Sequence, residues 1–361
     1  MIYLHAMAVT GGIGAALAIL LTMAGRWFAD YGDCSVKIND EEPFVVKGGC
    51  KLLDALYGRR IFIPSACGGQ GTCGFCKVRV LQGGGTVLPT ELPYLNDEET
   101  AGNVRLACQV KVKEDMVVRV RPDFLKVVEF TGQVKATRMV THDTRELLID
   151  LVEPSDILFK PGQYVQVMVP DQAEPTYRAY SISSVPRNTG EIELLVRLIP
   201  GGLGSTYLHR VEVGDSVLLT GPYGDFELSR DADTEIVCVG GGCGMAPMRS
   251  IIRHLGELDP ARKCRLFFGA RTADDVMYRD EFDELARGMK HFDVHYAVSE
   301  PGHHTEWDGE TGFIHESVAR HLDEGVNCQA FLCGPPAMIE AVLGVLEEKG
   351  VGKDRIFYDE F

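Results

Sequence analysis

Basic residues are scarce in this chain of 361 residues. Lys and Arg number 36 against 52 Asp and Glu, which leaves a formal net charge of −16. Because nucleic-acid binding relies on Lys and Arg to neutralise phosphates, this balance argues against a nucleic-acid partner. Internal repeats and low-complexity segments are also absent from the sequence. A chain of this length exceeds what one hydrophobic core serves and predicts two or three domains.

Charged residues are missing altogether from the first 25 positions. As a helix rising about 1.5 Å per residue, residues 2–25 would cover the roughly 30 Å hydrocarbon core of a bilayer. A cleaved signal peptide needs positive charge before the apolar run, whereas Arg26 follows it here; a buried core helix is the other alternative. With Trp27, Phe28 and Tyr31 as interfacial anchors, we predict a single-pass anchor in a bacterial-type inner membrane, with the remaining chain in the cytoplasm.

A second CxxC pair is also missing. Zinc knuckles usually supply two such pairs, and disulfides need an oxidising compartment that nothing else in the sequence indicates. Instead, SACGGQGTCGFC places three cysteines on one Gly-rich loop, and RLACQV adds a fourth much later. This spacing is close to that of plant-type ferredoxins and predicts a 2Fe–2S cluster, with backbone amides pointing at sulfur. The predicted ligands are Cys67, Cys73, Cys76 and Cys108.

The sequence after the apolar segment divides into three parts. A hairpin, a short helix and the cysteine loop predict a β-grasp, ferredoxin-like domain over residues 34–122. Short β-rich runs separated by Gly and Pro predict an antiparallel barrel over residues 123–228. Strands alternating with helices predict a doubly wound α/β sheet over residues 229–361. The predicted fold class is therefore multi-domain α+β, with a transmembrane helix at the N-terminus.

Two segments of the barrel carry groups suited to a flavin nucleotide. In RAYSIS, Arg178 offers a fork for a pyrophosphate, Tyr180 an aromatic ring and Ser181 a hydroxyl. On this motif alone, an ordinary exposed strand is the favoured interpretation. In IPGGLGSTY, glycines precede Ser205 and Thr206 at a helix start, which suits an anion and equally suits a capped turn.

The C-terminal part carries a Gly-rich turn between a strand and a helix. EIVCV runs into GGGCGMAPMRS, where the backbone of Gly241, Gly242 and Gly244 would approach a dinucleotide phosphate. FLCGPPAMIE places Cys333 at the end of a strand, where a thiol would pack against a nicotinamide; a buried structural cysteine is the alternative. Four histidines show no carboxylate-supported ligand pattern and are interpreted as surface or structural residues. They are His303, His304, His315 and His321.

Taken in order, these motifs resemble a known superfamily. The cysteine loop, RAYS, the Gly-rich turn, GGGCGMAPMRS, CGPP and the terminal YDEF are similar to the ferredoxin–NADP reductase superfamily with an N-terminal ferredoxin domain. Within it, the leading apolar segment, LLDAL, LPTEL, RLACQV, WDGETGFIH and CGPPAMIEAV resemble the F subunit family of the Na⁺-translocating NADH:quinone oxidoreductases. The likeness covers almost the whole chain.

This resemblance implies the cofactors and their binding residues. FAD is expected at Arg178, Ala179, Tyr180, Ser181, Gly202, Gly204, Ser205 and Thr206. NADH, the substrate, is expected at Gly241, Gly242, Gly244, Met245, Ala246, Cys333, Gly334 and Pro335. The terminal Phe361 is expected near the flavin, and the residues expected to take part in catalysis are Cys333, Tyr180, Ser181 and Phe361.

The resemblance also implies an activity. NADH would give a hydride to FAD, and single electrons would then pass to the 2Fe–2S cluster and on to membrane-embedded subunits of a respiratory complex that reduces quinone. One departure is that only DQAEPTY separates Pro170 from Arg178, where the F subunits carry a long insertion. This compactness resembles the reductase components of oxygenases, which is one alternative function. A non-enzymatic electron-carrier or scaffold module is another.

Overall fold

The computed structural model describes residues 11–20, 22, 31–170, 176–302 and 307–360. Residues 11–20 form helix α1, and residue 22 is also helical. Across these described ranges, no helix combines the length and the apolar character needed to cross a membrane. Much of the predicted span at 2–25 lies outside the described residues. The chain divides into two compact units, Met1–Lys126 and Val127–Phe361.

The first unit is built on a five-stranded sheet with the strand order β2-β1-β5-β3-β4. Strands β1 and β5 run parallel, and the other neighbours run antiparallel. Alternation in DCSVKI explains β1, because Cys34, Val36 and Ile38 are buried while the residues between them are partly exposed. This sheet and its helices fit the predicted ferredoxin-like domain. The elements are β1 (Asp33–Ile38), β2 (Phe44–Lys47), α2 (Leu52–Gly58), β3 (Lys77–Gln82), α3 (Asp97–Ala101), β4 (Val104–Leu106) and β5 (Met116–Arg119).

The second unit begins with a six-stranded antiparallel sheet in the order β10-β7-β6-β11-β8-β9. An antiparallel bridge between Ile182 and Leu194 joins its two edges and closes the sheet on itself. Leu147, Ile149 and Val165 lie in the core that the strands enclose, so the predicted barrel is confirmed. The elements are β6 (Val128–Met139), β7 (Thr144–Glu153), β8 (Tyr164–Val169), β9 (Thr176–Ser181), β10 (Glu191–Arg197), α4 (Leu203–Arg210) and β11 (Ser216–Tyr223).

The unit ends with a six-stranded sheet in which every neighbouring pair is parallel, in the order β15-β14-β13-β12-β16-β17. Strand β12 is buried along its whole length, as expected for a central strand covered on both faces. The predicted doubly wound sheet is therefore confirmed. The elements are β12 (Glu235–Gly241), α5 (Met245–Leu258), β13 (Cys264–Ala270), α6 (Arg279–Gly288), β14 (Phe292–Val298), β15 (Glu310–Thr311), α7 (Ile314–His321), β16 (Cys328–Gly334), α8 (Pro336–Glu348) and β17 (Ile356–Glu360).

A buried arginine ties the barrel to the parallel sheet. Arg249 on α5 is 5% exposed, and its guanidinium bonds to Glu193 of the barrel and, at 3.0 Å, to Glu281 of α6. It also lies over the ring of Tyr278, 4.3 Å from the centroid, and that phenol donates to Glu146 of the barrel at 2.5 Å. These charge-assisted contacts fix how the two sheets meet.

Candidate functional site

The cysteine loop and the RLACQV segment bring four cysteine sulfurs together in two pairs. The Sγ atoms of Cys67 and Cys73 lie 3.4 Å apart, and Cys76 and Cys108 form a second hydrogen-bonded pair. Within the part of the chain that the structure describes, no three of these sulfurs converge mutually within 4.8 Å, as one zinc ion would require. Two bridged irons, each held by two cysteines, need two sulfur pairs, so the geometry fits a 2Fe–2S centre.

The backbone of the loop prepares these sulfurs for a metal. Amides of Gln70 and Thr72 point at Cys67, and the amide of Gly71 points at Cys108. This requires a left-handed backbone at four glycines of the loop. They are Gly68, Gly69, Gly71 and Gly74, with φ between 66° and 79°.

Each sulfur pair also shares a proton unequally. A hydrogen bond from Cys73 lowers the pKa of Cys67 to about 4, against the opposing effect of burial. A hydrogen bond from Cys76 lowers the pKa of Cys108 to about 7 in the same way. The pKa values of Cys73 and Cys76 are raised in return. Thiolates are the form in which cysteine binds iron, and the hydrogen bond within each pair favours a thiolate at Cys67 and at Cys108.

A buried ion pair fixes the approach of the fourth cysteine. Glu91, which is fully buried, accepts hydrogen bonds from Arg105 at 2.6 Å and from the amide of Leu106 at 2.8 Å. The same guanidinium bonds to the carbonyl of Gly84. Because Leu106 precedes Cys108 by two residues, this contact holds the RLACQV segment against LPTEL and sets the position of the ligand.

The barrel brings the two predicted FAD segments into contact. A methyl group on Gly204 would lie 2.5 Å from Oη of Tyr180 and 2.8 Å from Cγ of Arg178, so only glycine fits there. One N–H of Arg178 donates to the carbonyl of Tyr177 at 2.8 Å. Burial raises the pKa of Tyr180 well above its ordinary range, which keeps the phenol neutral. Ala179 and Ser181 lie on the same strand, β9.

The hydroxyl of Ser205, which is predicted to bind FAD, takes part in a turn. It accepts a hydrogen bond from the amide of Ile199 at 3.1 Å and lies 3.4 Å from the carbonyl of Gly202. It therefore closes the turn before α4. Thr206 bonds through its amide to Gly202, so an anion at this helix start would meet backbone amides of the first turn.

A cleft of about 500 Å³ lies between the barrel and the carboxyl ends of the parallel strands. Gly241, Gly242 and Pro335 line it from the sheet, at the point where the strand order reverses between β12 and β16. Open α/β sheets bind ligands at this position. Met245 and Ala246, also predicted for NADH, are buried in the core at the start of α5.

Cys333 lies beside the Gly-rich turn. A methyl group on Gly244 would overlap the carbonyl oxygen of Cys333, which explains why the turn needs glycine there. Cys333 itself is 2% exposed, and burial raises the pKa of its thiol well above the usual range. A protonated thiol serves as an apolar neighbour for a ring. Gly334 follows at the end of β16.

Asp359 of β17 pairs in register with Cys333 of β16. Burial raises the pKa of Asp359 to about 6, and the nearby Asp225 adds to the shift. The predicted neighbour of the flavin, Phe361, lies outside the described residues.

Asp359→Asn is expected to remove a pH dependence of stability. The folded pKa is raised above that of the unfolded chain, so wild-type stability from this group is complete below about pH 4 and lost as the pH rises through about 6. The free energy of unfolding of the variant minus that of wild type should be about 1–3 kcal/mol higher at pH 7 than at pH 4. This range allows for the partial exposure of Asp359. Chemical denaturation of both proteins from pH 4 to 8 measures this, and parallel pH profiles would contradict it.

Two residues of the cleft were missed by the sequence analysis. Asp143, in the turn between β6 and β7, pairs with Arg197 at 2.7 Å, and both line the cleft. Burial opposes ionisation of Asp143, but hydrogen bonds from Arg197, Thr141 and Thr144 hold its pKa below the ordinary value. The sequence THDT does not predict that Asp143 lines the cleft, because the cleft forms only where the barrel contacts the parallel sheet.

One part of the histidine interpretation was wrong, because His321 does have a carboxylate partner. Its Nε2 lies 3.1 Å from Glu310, whose Oε1 also lies 3.5 Å from Nδ1 of His295. The two imidazoles stack with centroids 4.1 Å apart. Ser317 and Arg320 bond to the same carboxylate. The cluster therefore ties β14, β15 and α7 together, and His321 has a structural role.

The other three histidines differ in position. His315 lines the cleft, and His303 and His304 lie outside the described residues.

Three family models match the chain in succession. A "2Fe-2S iron-sulfur cluster binding domain" matches residues 36–113, an "Oxidoreductase FAD-binding domain" residues 131–228, and an "Oxidoreductase NAD-binding domain" residues 238–343. The predicted cofactors FAD, 2Fe–2S and NADH agree with these matches.

Solved reductases share the fold. The Amycolatopsis cytochrome P450 reductase GcoB superposes with a TM-score of 0.72 at 30% identity, covering 91% of this chain and 98% of that one. The ferredoxin reductase in carbazole 1,9a-dioxygenase gives 0.70 at 28% identity, with the same coverage.

Curated relatives match over nearly their whole length. The F subunit of the Na(+)-translocating NADH-quinone reductase of Neisseria gonorrhoeae is 36% identical over 389 aligned positions, covering 96% of both chains. That of Idiomarina loihiensis is 34% identical over 390 positions, covering 96% of this chain and 95% of its own. With its cysteine loop, barrel and nucleotide cleft in the same order, this chain is an FAD- and NAD-binding oxidoreductase with a 2Fe–2S domain and belongs to the F subunit family of Na⁺-translocating NADH-quinone reductases.

Proposed function

We propose that this chain is the NADH-oxidising component of a membrane-bound NADH:quinone oxidoreductase of the Na⁺-translocating type. Residues 2–25 would anchor it in the inner membrane as a single span, with the redox domains at 34–122, 123–228 and 229–361 on the cytoplasmic side. Membrane-embedded subunits would receive its electrons and reduce quinone. The observation that carries the proposal is the match to the Neisseria F subunit over 96% of both chains. The part of this chain left outside the alignment is shorter than the apolar segment 2–25, so the alignment includes at least part of that segment.

FAD is assigned to the barrel by this proposal. Arg178 would bind the pyrophosphate with the N–H groups of its fork, while Gly204 keeps β9 and the start of α4 close enough to share it. Tyr180 and Ser181 would contact the flavin ring. FAD, when bound, takes two electrons as a hydride and releases them singly, which matches NADH to a one-electron 2Fe–2S acceptor.

The cleft between the barrel and the sheet would hold NADH. Gly241, Gly242 and Gly244 would let the backbone approach the pyrophosphate, and Pro335 would line the end of the cleft that holds the nicotinamide. Cys333 remains a thiol because burial raises its pKa, so it would orient the ring without acting as a base or nucleophile. No side chain has to move a proton for the hydride step.

NADH is expected to be used in preference to NADPH by at least roughly tenfold in kcat/KM, or about 1.4 kcal/mol. Arg271 lines the cleft but lies 3.4 Å from Glu300, which offsets its charge. Asp275 also lines the cleft and is held there by Thr272 at 2.9 Å, so its carboxylate would repel a 2′-phosphate. Initial rates with both nucleotides test this preference. Glu300→Gln should lower the ratio of kcat/KM for NADH to that for NADPH, because the charge of Arg271 is then no longer offset. Equal efficiencies in wild type would contradict the assignment.

Removing the residues before Asp33 should separate attachment from chemistry. Every proposed cofactor residue lies beyond this point, so the truncated protein should oxidise NADH with ferricyanide at a rate within about twofold of the full chain. It should fail to restore NADH-driven quinone reduction to membranes lacking the native chain, whereas the full chain should restore it. Full restoration by the truncated protein would overturn the membrane-complex proposal.

A second function is favoured by one observation. The two reductases that superpose with TM-scores of 0.72 and 0.70 cover 91% of this chain, and their names connect them to a cytochrome P450 and a dioxygenase. The alignment with the Neisseria F subunit spans 389 positions, whereas this chain has 361 residues, so the Neisseria protein carries insertions that this chain lacks. Restoration by the truncated protein would promote this oxygenase-reductase alternative. The non-enzymatic alternative has no such support.

A further inference from the structure

The residue after the fourth cysteine turns its side chain back toward the cluster site. Nε2 of Gln109 lies 3.6 Å from Sγ of Cys108, a normal separation for an N–H donor and sulfur. The hydroxyl of Thr90 donates to Oε1 of the same amide at 3.0 Å. A ligand thiolate only accepts hydrogen bonds, so the amide is fixed with its N–H₂ group toward sulfur and its oxygen toward Thr90.

The loop is shaped to admit this side chain. Gly71 has a φ of 76°, and a methyl group there would overlap Nε2 of Gln109 and lie 2.8 Å from its Cδ. The amide of Gly71 points at the same sulfur. Besides Cys76, Cys108 therefore has two donors, and one of them, the amide of Gln109, fits only because position 71 has no side chain.

The position of the amide makes it electrostatically effective. Cys108 is 2% exposed, Gln109 is partly buried and Thr90 is exposed, so the amide lies between the sulfur and solvent. In such a setting a dipole acts on nearby charge more strongly than it would in water.

We propose that Gln109, oriented by Thr90, sets the reduction potential of the 2Fe–2S centre through its hydrogen bond to Cys108. The inference rests on the proposed function, in which one electron from the flavin adds one negative charge to the centre and its sulfur ligands. No bond to Gln109 forms or breaks and no proton moves. The N–H dipole stabilises the added charge, so its loss makes reduction harder. Gln109 and Thr90 are positioning residues.

Redox titration of the full-length protein, followed by the EPR signal of the reduced cluster, tests the proposal. Gln109→Leu should lower the equilibrium constant for reduction roughly tenfold, which is about 59 mV for a one-electron couple. Thr90→Val should shift the potential in the same direction by less. Gln82→Leu is the matched control: Gln82 belongs to the same compact unit and is exposed on β3, outside the cysteine loop. Its potential should equal that of wild type.

Two results would overturn the proposal: an unchanged potential in Gln109→Leu, or an equal shift in Gln82→Leu. If Gln109→Leu assembles no cluster, Thr90→Val decides, because it leaves Gln109 in place; an unchanged potential there rejects the proposal. Absence of a reduced-cluster signal from wild type would instead reject the 2Fe–2S assignment itself. The two failures are thereby distinguishable.

Discussion

Cys73→Ser is expected to abolish the 2Fe–2S centre while NADH still bleaches the flavin. The sulfur of Cys73 lies 3.4 Å from that of Cys67, so its loss leaves one iron with a single cysteine ligand. Loss of a group that only orients a ligand weakens metal binding about 10–100-fold, and loss of the ligand itself should exceed this. The proposed FAD and NADH residues all belong to the unit Val127–Phe361, so flavin reduction should continue.

Iron and sulfide analysis, EPR and stopped-flow reduction of the flavin measure the two effects separately. Cys50→Ser is the control, because Cys50 belongs to the same unit and lies outside the cysteine loop. It should keep both cofactors. A rhombic reduced-cluster signal that survives substitution of all four predicted cysteine ligands would end the assignment, and loss of the flavin in Cys73→Ser would contradict the independence of the two cofactor sites.

Local spacing explains what the sequence could predict. Three of the four cluster ligands lie within ten residues of one loop, so the sequence contains most of their geometry. The ferredoxin-like sheet and the parallel sheet follow from short-range patterns in the same way: burial alternates along β1, and β12 is buried throughout and has no charged residue after Glu235. These features depend on residues close together in the chain.

The rest depends on tertiary contacts. In the cleft, Asp143 pairs with Arg197, which comes 54 residues later in the chain and lies on β10, the strand beside β7. The motif GGLGST leaves open whether the Ser205 hydroxyl serves an anion or a turn, and only the fold shows that it accepts a hydrogen bond from the amide of Ile199. His321, at the end of α7, has a carboxylate partner in Glu310, which lies on the preceding strand β15. Sequence spacing holds no information on such pairings until the fold is known.

The LPTEL and RLACQV motifs show how a resemblance acquires a physical reason. Within them, Glu91 and Arg105 form a buried ion pair, and Thr90 and Gln109 form a hydrogen bond. The ion pair fixes the position of Cys108, and the hydrogen bond from Thr90 orients the amide of Gln109 toward its sulfur. The residues flanking the ligand are thus explained by its placement and its electrostatics.

Arg249→Met is expected to lower the free energy of unfolding of the Val127–Phe361 unit by about 2–4 kcal/mol. Breaking a buried ion pair costs about 3–5 kcal/mol, because the remaining charge has no partner. The discount reflects the partial exposure of Glu193 and Glu281, at 20% and 29%. Methionine preserves most of the side-chain length, so the loss reports on charge and hydrogen bonding more than on volume.

Arg253 provides a matched comparison, since it approaches the same two glutamates, at 3.0 and 3.6 Å, with its side chain 25% exposed. Arg253→Met should cost about 1 kcal/mol or less, as for exposed pairs. Adding Glu281→Gln to Arg249→Met should recover part of the loss, because it removes one uncompensated carboxylate. Denaturant titrations of the four proteins measure these differences. Equal losses for the two arginines would show that Arg249 does not join the barrel to the sheet in the way that its contacts indicate.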